Sequence, residues 1–146
     1  MVRRSAGTSE VAAFLGLLAF HVAHILEEIA GGFFLRDRLG LPAFAAVNGV
    51  LFCFSLGLFY FWLTGSRWAR PLSALYAGVM VLNGIGHNVL TLATGRYRGG
   101  FAGGFSGIGL AVSGLWLLSL LRRTDPGGRA KNGRPGSGPR SQAIEK

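Results

Sequence analysis

Four apolar runs divide the chain, and charged residues gather mostly between them. The first extends from about Glu10 to Phe34, the second from Pro42 to Thr64, the third from Pro71 to Thr94 and the fourth from Phe101 to Leu121. Each approaches or exceeds the ~20 apolar residues that carry a helix across a bilayer. Inside hydrocarbon no water pairs a free N–H or C=O, so each run must close its own hydrogen bonds as a helix. Glycine weakens a soluble helix but is common in membrane ones. Pro42 and Pro71 fall where a first helical turn accepts proline. The pattern predicts an all-α protein of the cell membrane: a four-transmembrane-helix bundle within residues 1–123, then a tail over 124–146.

Composition sharpens this picture. Half the residues are hydrophobic and 14% are charged, against about a quarter charged in a soluble domain. A soluble chain of 146 residues could not bury four such runs, so lipid is expected to cover much of their surface. The tail, with its Gly, Pro, Ser and charge and no periodicity, is expected to be disordered. Cys53 is the one cysteine, which rules out an internal disulfide; its place in an apolar run predicts a packing role. Arg3 and Arg4 resemble the start of a signal peptide, but His21, His24, Glu27 and Glu28 follow where a small-residue cleavage site would stand. No cleavage is expected.

The net charge of +9 would suit nucleic acid, but no nucleic-acid motif is present. Its placement suits a membrane instead. With four spans both termini share a side. That side holds Arg3, Arg4, Arg67, Arg70, Arg122, Arg123 and five basic tail residues, eleven in all, against Arg36, Arg38, Arg96 and Arg98 opposite. The positive-inside rule puts both termini in the cytoplasm, where the tail would meet anionic membrane lipids. Trp62, Trp68 and Trp116 fall near that boundary, as an aromatic belt would. Gly100 and Gly104, like Gly103 and Gly107, are four apart, a spacing that lets helices approach closely. Packing within the bundle is the expected use; oligomerisation through the Gly-rich fourth helix is the alternative.

The polar residues inside the runs carry the chemistry. At about 100° per residue, His21, His24 and Glu28 fall within roughly 60° of one another on the first helix, with Glu27 to one side. The third run offers Asn83 and His87, four apart on one face. With a rise of about 1.5 Å per residue, His24 to Glu28 lie roughly 21–27 Å above the cytoplasmic start, Asn83 to His87 roughly 18–24 Å, and Asn48 about 9 Å below the outer end of the second run. In a core about 30 Å thick, three helices thus place polar groups in one outer-leaflet layer. Ionisable groups are costly in hydrocarbon and mark function by default. The plainer alternative sets Glu27 and Glu28 at the outer interface, solvated or paired with Arg36 or Arg38. For His21, one hydrogen bond satisfies a neutral ring.

His24-Ile-Leu-Glu27-Glu28 resembles the H-x-x-E-E signature of the HXXEE family of small multi-pass membrane proteins. Asn83-x-x-x-His87 and Arg96-Tyr97 are similar to that family's second block, and the likeness spans roughly Val11 to Gly107. One departure is Tyr97-Arg98-Gly99-Gly100, where the family pattern has x-Pro-Gly after the tyrosine; it implies a more flexible loop. The family is defined by sequence and has no general assigned activity, so the resemblance implies a shared site without naming its reaction.

Three functional readings follow. An enzyme acting on a small or lipophilic substrate would use Glu27 or Glu28 with His87, and Asn83 beside them, for isomerisation, cyclisation or hydrolysis. A metal site would use His24, Glu28 and His87 for a divalent transition metal, Zn, Mn or Fe, which could serve the same enzyme as a Lewis acid. A haem between two histidines would leave the carboxylates unexplained. The non-catalytic alternatives are metal or proton handling and a structural or accessory subunit.

Overall fold

Twenty-four residues, Thr8–Gly31, form helix α1, whose first-turn Glu10 accepts the Gly7 N–H at 3.2 Å. The structure is a computed structural model that describes residues 7–31, 33–94 and 104–123. Helix α1 stops short of the expected Phe34. The Phe33 N–H returns to the Glu28 carbonyl at 3.1 Å, and the chain restarts as the short helix α2 (Phe34–Leu39). The unbroken apolar run had hidden this break. Gly40 ends α2 with φ of 77° while its N–H meets the Arg36 carbonyl, a conformation that glycine adopts without steric cost.

Beyond this turn run α3 (Leu41–Leu63), α4 (Ala69–Thr94) and α5 (Phe105–Arg123). Among the described residues all regular structure is helical. Helices α1, α3, α4 and α5 are each long and apolar enough to cross a membrane. Proline sits in the first turn of both α3 and α4, as its fixed φ favours. The fourth helix is displaced from its expected 101–121 and continues to Arg123. Arg3, Arg4, Arg96, Tyr97, Arg98, Gly100, Gly103 and the tail 124–146 lie outside the described residues.

Hydrocarbon gives little drive to bury apolar side chains, so contact between membrane helices depends on close packing by small residues. Helix α5 supplies them and packs along both α1 and α4. A Cβ on Gly84 of α4 would stand 2.2 Å from the Gly107 carbonyl oxygen of α5. One on Gly109 would stand 2.0 Å from the Phe20 ring, and one on Gly114 2.6 Å from Val81 Cγ2. These α5 glycines therefore face neighbours within the bundle.

Away from that seam the core is aromatic. Phe14 is fully buried and meets Phe59, Trp62 and Tyr76 at ring centroid distances of 5.0, 5.6 and 6.1 Å. Trp62 is thus a core residue and not part of an aromatic belt, because its ring stacks on Phe14. Trp68 and Trp116 are exposed, as a belt requires, and Arg67 lies 5.3 Å over the Trp68 ring. Cys53 is exposed on α3, so the expected packing role is not met: it projects from the outer side of the helix.

Candidate metal centre

The α1 stripe and the upper part of α4 meet where the sequence placed their polar groups at one depth. His87 Nε2 lies 3.0 Å from Glu28 Oε1, and His24 Nε2 lies 3.5 Å from the same oxygen. The two imidazoles stand edge to face, their centroids 4.6 Å apart. His24 is buried at 3% exposure, and Glu28 and His87 are nearly so at 11% and 16%. One donor atom from each of the three falls within 4.8 Å of the others. Glu28 therefore meets histidines, not Arg36 or Arg38.

His24 is held from behind. Its Nδ1 lies 3.0 Å from Ser106 Oγ on α5, and the Ser106 hydroxyl donates to Glu27 Oε2. Glu27 does point to one side of the His24–Glu28 stripe, as helical spacing predicts, but that side is the interface with α5. It is 3% exposed. On the inner face of the ring, His24 Nε2 makes no hydrogen bond, although a buried polar atom is normally paired.

Asn83 and His87 share a face, as their spacing predicts, and both line an open cavity of about 200 Å³. Its other walls include Phe33, Phe34, Leu82 and Leu90. Phe33 comes from the α1–α2 break and sets its ring 4.8 Å from that of His87. Without the break this aromatic cover would not reach α4. His21, by contrast, is accounted for by one hydrogen bond, with Nδ1 2.9 Å from the Tyr76 hydroxyl. Asn48 was expected in the shared polar layer. It turns instead to its own helix and donates to the Phe44 carbonyl at 3.0 Å; an amide on a largely outward-facing helix is satisfied most simply by its own backbone.

Donor atoms each about 2.1 Å from a tetrahedral ion sit roughly 3.4 Å apart. The 3.5 and 3.0 Å separations here bracket that value. Two imidazoles and one carboxylate suit Zn, Mn or Fe, and three protein ligands leave a position for a small molecule, as catalytic sites do. Without an ion, the same contacts make Glu28 and His87 a carboxylate–imidazole pair within proton-transfer distance. Comparison with protein-family models, with curated proteins and with solved structures found no match.

Proposed function

We propose that this chain is a multi-pass membrane protein of the HXXEE type that holds a divalent transition metal on His24, Glu28 and His87. We read it further as a metal-assisted enzyme for a small or lipophilic substrate. The observation that carries the metal reading is the unpartnered, buried Nε2 of His24, aimed at an oxygen that His87 also reaches. A cation between these atoms would satisfy all three.

When bound, the ion would act as a Lewis acid, polarising an oxygen of the substrate. The chain's own residues do the rest. The cavity beside His87 admits the substrate along Phe33, Phe34 and Leu90, and Asn83 is placed there to hydrogen-bond a polar group on it. Isomerisation, cyclisation and hydrolysis of a lipophilic molecule all fit such a site. The test is metal analysis of the purified full chain, with about one divalent ion per chain expected. Protein that lacks metal and takes up none from Zn(II), Mn(II) or Fe(II) would overturn the reading.

A second reading rests on the 3.0 Å contact between Glu28 and His87: these two act as acid and base without an ion. The excess of basic residues on the side of the termini supports both termini in the cytoplasm, and with that orientation the site lies toward the outer leaflet. Reporter fusions at the C-terminus should be active in the cytoplasm, and fusions after Arg98 outside it. A C-terminal fusion active only outside the cytoplasm would reverse the orientation.

A further inference from the structure

The two consecutive glutamates of α1 contact different partners, and the difference has a chemical consequence. Glu28 reaches the two histidine Nε2 atoms, whereas Glu27 accepts the hydroxyl proton of Ser106. A hydroxyl has one proton. With that proton on Glu27, the Ser106 oxygen has only lone pairs to offer to His24 Nδ1, 3.0 Å away. The hydrogen of a neutral His24 ring must then lie on Nδ1, which leaves Nε2 as a bare lone pair. That atom faces Glu28 Oε1 at 3.5 Å, which is also an acceptor when ionised. The ring is thus fixed in the tautomer that binds a cation and prevented from donating to Glu28.

We propose that Ser106, backed by Glu27, is a positioning residue that holds His24 in the Nδ1–H tautomer and directs its Nε2 lone pair to the point shared with Glu28 and His87. This deepens the metal reading and rests on it for its purpose, but the tautomer itself does not depend on an ion. In metal sites the outer partner of a ligating histidine commonly sets ring orientation and tautomer, and its loss costs about 10–100-fold in metal affinity. Here that role is shared by a hydroxyl on one helix and a carboxylate on another.

The test uses the full chain in lipid nanodiscs with ¹⁵N-labelled histidine, kept metal-free at a pH where the rings are neutral. The chain has three histidines, so a His24→Asn spectrum assigns the His24 signals by loss. In the wild type, His24 is expected to show a protonated Nδ1 and an unprotonated Nε2. Ser106→Ala should shift the ring toward the Nε2–H form and weaken Zn(II) binding, measured separately by titration, by about 10–100-fold. Ser106→Thr, which keeps the hydroxyl, should restore the wild-type tautomer. A wild-type ring that carries its proton on Nε2 overturns the proposal without recourse to any variant. So does a Ser106→Ala spectrum that leaves the His24 tautomer unchanged. Normal tautomer behaviour combined with no Zn(II) uptake by the wild type would instead refute the metal reading and leave the positioning role standing.

Discussion

Under the metal reading, His24→Ala and His87→Ala are each expected to abolish metal binding while the protein remains inserted in the membrane. Each removes one of three donor atoms that lie within 4.8 Å of one another. The remaining pair cannot enclose an ion, so the affinity loss should exceed the ~100-fold that losing an outer partner can cost. Insertion should survive because the apolar lengths of α1 and α4 are unchanged. Glu28→Gln separates the two chemistries. The carboxamide keeps the shape and can still accept a hydrogen bond from His87, but it is a poor metal ligand and cannot take a proton. Under the metal reading it lowers metal content together with activity. Under the acid–base reading it abolishes turnover with substrate binding retained. Metal content and membrane fractionation of the three variants form the check; unchanged metal in both histidine variants would remove these residues from the site.

Gly84→Ala is expected to destabilise the bundle far more than alanine at any other helical glycine of α3 or α4. Its added methyl carbon would sit 2.2 Å from the Gly107 carbonyl oxygen and 3.2 Å from the Ala111 nitrogen. Both are backbone atoms of α5 and cannot turn aside, so the helices must separate. Overpacking of this kind costs about 1–3 kcal/mol and occasionally more, and the upper end is expected because α5 packs on α1 as well. Gly49, Gly57 and Gly78 are the controls. A Cβ at each meets nothing within 4 Å, and alanine is the better helix former by about 1 kcal/mol. Thermal or denaturant unfolding in detergent should therefore place Gly84→Ala well below the wild type and Gly78→Ala level with it or above. Equal stability of Gly84→Ala and Gly78→Ala would show that the α4–α5 seam is not close-packed.

The four long helices were legible in the sequence because length and apolarity alone determine them. The convergence of His24, Glu28 and His87 was legible for a different reason: residues at one depth on adjacent helices can meet, and depth follows from counting residues. What was lost depended on facing. Phe33 and Phe34 prolong the first apolar run, so hydropathy conceals the break that turns Phe33 over His87. Trp62 has the composition of a belt residue, and only its stacking on Phe14 makes it core. Asn48 matches the polar layer in height, but counting gives no direction, and its amide turns to its own helix. Ser106 carries no signal of its own in the sequence, where it is one small residue in a glycine-rich run. Its height is nonetheless countable, since it lies one residue into α5, at the same end of the bundle as His87. Its meaning depended on α5 lying against α1, which chain order does not reveal.

Ser106 also imposes a timetable on biosynthesis. Ser106 lies 79 positions after Glu27, which at about 5–20 residues per second is roughly 4–16 s of translation. Throughout that interval His24 and Glu27 of α1 lack the Ser106 hydroxyl that meets them both. Carboxylates are costly to leave in hydrocarbon, so the nascent α1 must wait in contact with water, the insertion machinery or α3 and α4 until α5 arrives. Helix α5, made after α1, α3 and α4, is therefore the one that completes the contacts of His24 and Glu27.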